Sequence, residues 1–124
     1  NQEWKVFLET RRARKLTQVF VGSWIGDFAD PFNFLEILQS QSGLNASGYA
    51  NPQYDALLQK IAADGDTNTR QQDLQAAERL VLSDLPVLPI YFYESKHLVS
   101  PRVAGWQDNI VDHHYTKDLR IASQ

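Results

Sequence analysis

No cysteine occurs among the 124 residues, which excludes a disulfide framework, CxxC-type metal sites and thiol nucleophiles. No apolar run approaches the roughly 18–20 residues a membrane-crossing helix needs, and no signal-peptide pattern is visible. No GxSxG elbow is present, so no hydrolase nucleophile announces itself. Internal repeats and low-complexity tracts are absent too. Basic excess is lacking: 12 Lys and Arg face 15 Asp and Glu, a net charge of −3. That balance disfavours a nucleic-acid protein, because phosphate binding needs a basic face. The cluster Arg11, Arg12, Arg14 and Lys15 is expected to be the solvated end of a helix, where cations suit the dipole. Methionine is missing as well, and a chain that opens on Asn1 is expected to be a piece of a longer one.

What is present is ordinary globular composition, 43% hydrophobic and 22% charged, with enough length for a core in one domain or part of one. Trp4, Phe7 and Leu8 recur at helical spacing, predicting a helix over about 2–14. Residues 16–24 change to period two and predict a strand, with Val19, Val21 and Ser23 on one face and Phe20, Gly22 and Trp24 on the other. Helix followed by strand suggests an α/β layer. Asp30 before Pro31, then Phe32, Phe34, Leu35 and Leu38, reads as a helix start: the carboxylate caps amides next to a proline that has none to offer. Residues 39–51, rich in Ser, Gly and Asn, form the longest irregular stretch, a functional or mobile loop. Asn51-Pro52 repeats the cap-plus-proline signal, and Tyr54, Leu57, Leu58, Ile61 and Ala62 fit one helical face. Thr69 and Gln72 suggest a capping box for a third helix through about Ser83, with Leu74, Ala77 and Val81 inward. The strongest strand signal is 86–95, with Phe92 assigned to a core. Residues 96–101 suggest a short strand, 102–107 a turn region, and 116–121 a terminal strand.

Chemistry candidates are few. "DGDTN" lacks the ligand spacing of a calcium loop and reads as an interhelix turn. His113 and His114 are adjacent and point apart, and His97 is distant in sequence, so a zinc site with Asp112 is not expected. Asp27 with Asp30 or Glu36 has no spacing that singles out a glycosidase pair. Trp24 and Asp27 stand out instead, at the carboxyl end of a predicted strand, where open α/β sheets bind ligands. An aromatic face beside a carboxylate suits an ammonium group, through cation–π attraction and a charge-assisted hydrogen bond.

"NQEWKVFLETR", "GSWIGDFADPFNFL", "NPQYDALLQKIAA" and "LPVLPIYFYESKHLVSPRVAGW" resemble, in order, the C-terminal part of the oligopeptide-binding proteins of ABC importers, the family 5 extracellular solute-binding proteins. The Trp-x-x-Asp-x-x-x-Pro element and the "PVLPIYFY" segment are specific in this combination. The resemblance implies an α/β segment, residues 1–124, of one lobe of a two-lobed type II periplasmic-binding-protein fold. It implies a binder of short peptides rather than an enzyme, without cofactor, metal or nucleic acid. Its partners would be the membrane permease and the remaining lobe of the same protein; its place would be the periplasm, or a lipid anchor at the outer face of the cytoplasmic membrane. Carried over by position, Asp27 would pair with the peptide's α-ammonium. Val21, Gly22 and Trp24 would line the groove, partly through main-chain pairing, and Tyr93 would face the ligand. Val21 stands where close oligopeptide binders carry an arginine that receives a peptide carboxylate. The rival implications are a binder of a murein peptide or nickel complex, and the ligand-sensing lobe of a transcriptional regulator.

Overall fold

The computed structural model describes residues 2–13 and 19–122. Helix α1 (Trp4–Ala13) ends in Arg11 and Arg12, as its charge pattern suggests, and none of its residues is buried. Arg14 and Lys15, and the start of the stretch predicted as a strand over 16–24, lie outside the described residues. Residues 20–26 are free of helix and of sheet pairing.

The core is helical. A short helix α2 (Phe32–Leu35) continues into a 3-10 turn (Glu36–Leu38), followed by α3 (Pro52–Ala63) and α4 (Thr67–Asp84). Asn51 caps α3 by accepting from the amides of Gln53 and Tyr54, with Pro52 opening the helix. The periodic residues Tyr54, Leu58 and Ile61 are thereby turned onto Leu74, Ala77 and Val81 of α4, and Leu35 and Leu38 close the cluster. Tyr54 is fully buried, and its hydroxyl donates to the Leu35 carbonyl at 2.7 Å, so the one polar atom it carries inward is satisfied. Helix α4 starts earlier than the Thr69–Gln72 signal suggests. Asp66 takes the cap, its carboxylate accepting from the Thr69 amide at 2.7 Å. "DGDTN" is thus the interhelix turn expected of it.

The 39–51 loop is organised by a buried side chain, Asn45, which donates to the carbonyls of Gln39 and Tyr49 and accepts from Ser47 and Gly48. Its far end is tied to the end of α4: the Tyr49 hydroxyl and the Asn51 amide both donate to Asp84, at 2.6 and 2.8 Å. Burial first, then the Asp84 carboxylate, push the Tyr49 hydroxyl up to about 12, so it remains a donor.

The strand expectations for 86–101 require correction. The segment belongs to no sheet, and Phe92, assigned to a core, is 100% exposed. Alternating apolar residues favour an extended chain, but a ladder also needs a neighbour strand, and none lies beside it among the described residues. The paired strands fall elsewhere. Strand β1 (Val103–Ala104), inside the stretch expected to turn, pairs antiparallel with β2 (Arg120–Ile121), Val103 opposite Ile121. Only the last part of the predicted 116–121 strand is therefore strand; Thr116–Asp118 is a 3-10 turn. Gly105, at φ +89°, follows β1 where any Cβ would collide with the Asp118 carbonyl oxygen, so only glycine lets the two segments approach this closely.

Candidate functional site

The residues around Asp27 are assembled by one buried amide. Asn33, on α2, is 2% exposed. Its Oδ1 accepts from the Trp24 indole N–H at 3.0 Å and from the Asp27 backbone N–H at 2.8 Å, while its Nδ2 donates to Glu36 at 2.8 Å. One side chain therefore fixes the tryptophan ring and the backbone that carries Asp27. The Asp27 carboxylate itself is exposed and has no hydrogen-bond or ion-pair partner among the described residues.

Asp30 has the opposite character. Its carboxylate accepts from the Phe32 amide at 2.8 Å, the local capping role read from Asp-Pro, and it also pairs with Arg70 of α4 at 3.0 Å. Burial alone would raise its pKa; the Phe32 amide and the Arg70 guanidinium outweigh that and hold it below the ordinary carboxylate value. The two aspartates are thus separated by structure: Asp30 is committed to the fold and Asp27 is not.

Val21 (83% exposed) and Gly22 lie in the stretch before Trp24, and the backbone groups of 20–26 make no hydrogen bonds to other described residues. Tyr93 sits apart from this group. It lines an open concavity of about 320 Å³ with Glu94, His97, Asn109 and Asp112, and no hydrogen bond, ion pair or ring contact among the described residues joins it to Trp24 or Asp27. Sequence reasoning missed Asn33 and Arg70. For Asn33 a signal existed: a lone amide between Phe32 and Phe34, in an apolar run, needs buried partners.

The sequence distance between His97 and His114 is closed by the fold. His97 and His114, far apart in sequence, meet at the same oxygen of Asp112, at 2.7 and 2.8 Å. Asp112 adopts a left-handed backbone conformation (φ 55°), which turns the chain so that 112 and 114 converge.

No family model matches the chain. Among curated proteins it is similar to the dipeptide-binding protein DppE of Bacillus subtilis, 39% identical over 105 residues, covering 85% of this chain and 19% of that protein. It is also similar to the periplasmic murein peptide-binding protein MppA of Escherichia coli, 33% identical over 122 residues, 98% of this chain and 22% of that one. The backbone matches Haemophilus influenzae OppA, solved in complex with RPPGFSPFR, with a TM-score of 0.84 at 32% identity over 99% of this chain and 24% of that structure. Each of these relatives and structures is named as a peptide-binding protein, and this chain is similar to a segment of each. The chain, of mixed helix and sheet, spans about a fifth of the curated relatives' length.

Proposed function

We propose that this chain is the C-terminal part of one lobe of a periplasmic or lipid-anchored peptide-binding protein, which delivers short peptides to the permease of an ABC importer without chemical turnover. The observation that carries the reading is the Asn33 arrangement: it holds Trp24 and the Asp27 backbone while leaving the Asp27 carboxylate unpaired. A fixed aromatic face beside a free carboxylate is what an ammonium group requires. A carrier that accepts many sequences must bind what all peptides share, an amine and a regular backbone. The unpaired backbone around Val21 and Gly22 can add to a ligand strand without reading its side chains. Tyr93 would approach the ligand from the concavity it lines, and the remainder of the protein would close over the ligand.

Calorimetry on the complete protein with free tri- to pentapeptides tests this. Binding without turnover is expected, and Asp27→Asn should weaken it by two decades or more while leaving the unfolding midpoint unchanged. Equal affinity in the native and Asp27→Asn proteins would overturn the assignment.

A further inference from the structure

We propose that His97, Asp112 and His114 form a binding site for a divalent transition-metal ion of the zinc class. One ligand atom from each of the three residues lies within 4.8 Å of the other two. Two imidazoles and one carboxylate are a donor set of zinc sites that keep a position open for water or an incoming group, and imidazole favours zinc, copper and nickel over magnesium or calcium.

The arrangement is held from several sides. The His114 ring stacks on Trp106 with centroids 3.7 Å apart and planes 15° from parallel, and its side chain is only 11% exposed. Asp112 sits in a turn closed by Asn109, whose carbonyl accepts from the Asp112 amide and whose side chain bridges both backbone groups of His113. That turn aims residues 112 and 114 at one point, while the His113 ring lies against Tyr115 instead. His97 arrives from the extended segment with its ring 5.0 Å from Trp106 and 5.1 Å from His114. The Ser95 hydroxyl also hydrogen-bonds the Asp112 carboxylate, alongside His114 and His97.

Donors around a tetrahedral zinc, with bonds of about 2.0–2.2 Å, lie roughly 3.3–3.5 Å from one another. The two contacts to Asp112 would therefore open by about 0.5–0.8 Å, a side-chain adjustment. Each imidazole would present an unprotonated Nε2 to the ion and carry its proton on Nδ1. The site shares no residue with the Trp24–Asp27 group, and although His97 and Asp112 line the concavity that Tyr93 borders, zinc uptake measured without peptide is read independently of the peptide reading.

The test is calorimetric titration of zinc chloride into the chelator-stripped complete protein at neutral pH, with magnesium as the comparison ion. One zinc per chain with micromolar or tighter affinity is expected, and no magnesium binding at the same concentrations. Asp112→Asn and His97→Gln should each weaken zinc at least about tenfold, the scale on which lost supporting residues already act in metal sites. His113→Gln, one residue away, should leave it unchanged. His97 carries the decision because its ring is partly exposed and its replacement by Gln should leave the unfolding midpoint unaltered. Absence of zinc uptake in the submillimolar range, or uptake that His97→Gln leaves intact, would overturn the proposal.

Discussion

Replacing Asn33 by alanine removes a side chain that touches Trp24, the Asp27 backbone and Glu36 together. Three hydrogen bonds of 2.8–3.0 Å are lost at a position 2% exposed. Each such bond contributes about 0.5–1.5 kcal/mol net, and a donor left buried without a partner costs more. Trp24 and Asp27 are nearer the surface than Asn33, so water can reach the abandoned indole and amide and recover part of the loss. The balance is a destabilisation of about 2–3 kcal/mol. Urea unfolding of the complete protein, followed by circular dichroism, should show the midpoint fall with an unchanged slope. Peptide affinity should fall too, since Trp24 and the Asp27 backbone are no longer held. A loss below about 0.5 kcal/mol, the ordinary range for surface substitutions, with peptide affinity intact, would refute the idea that Asn33 organises this corner.

Tyr54→Phe removes only the hydroxyl that donates to Leu35 and should cost about 1 kcal/mol in the same assay, because the carbonyl it leaves is buried. Asn51→Ala should cost about 0.5–2 kcal/mol through loss of the α3 cap. The Asp30–Arg70 pair makes a pH-dependent contribution. Because the folded pKa of Asp30 is lowered, the stabilisation is fully present above the unfolded value near 3.9 and is lost as pH falls through the folded one. Arg70→Gln should therefore be less stable than native near neutrality, with the difference shrinking as the solution is acidified below about pH 4; a difference constant across that range would show that the pair is not its source.

The helical core was legible because its signals are local. Tyr54, Leu58 and Ile61 recur at helical spacing after Asn51-Pro52, and that spacing alone puts them on one buried face. The start of α4 was misplaced because Asp66 and Thr69 are both good caps, and the residue that comes first took the amide. Phe92 failed for a different reason. Alternation specifies an extended chain, but burial depends on what lies against it, and no neighbour strand is among the described residues. The meeting of His97 with His114 was illegible because it depends on the left-handed turn at Asp112, where an aspartate carries no warning that a glycine would have given. At the candidate site Trp24 and Asp27 could be picked out as a pair, and the structure ties both to Asn33; nothing in the sequence spacing placed Tyr93 in a concavity with His97 and Asp112.

The central claim, that Asp27 receives a peptide amine, is tested most directly by a cycle on the complete protein: free and N-acetylated peptide against native and Asp27→Asn. In a closed groove, removing one partner of a buried ion pair costs on the order of 3–5 kcal/mol, or roughly two to nearly four decades in dissociation constant. Acetylation should weaken binding to the native protein on that scale. It should cost much less in Asp27→Asn, where the partner has already gone, and that non-additivity marks direct contact. Equal binding of free and acetylated peptide by the native protein would contradict the claim.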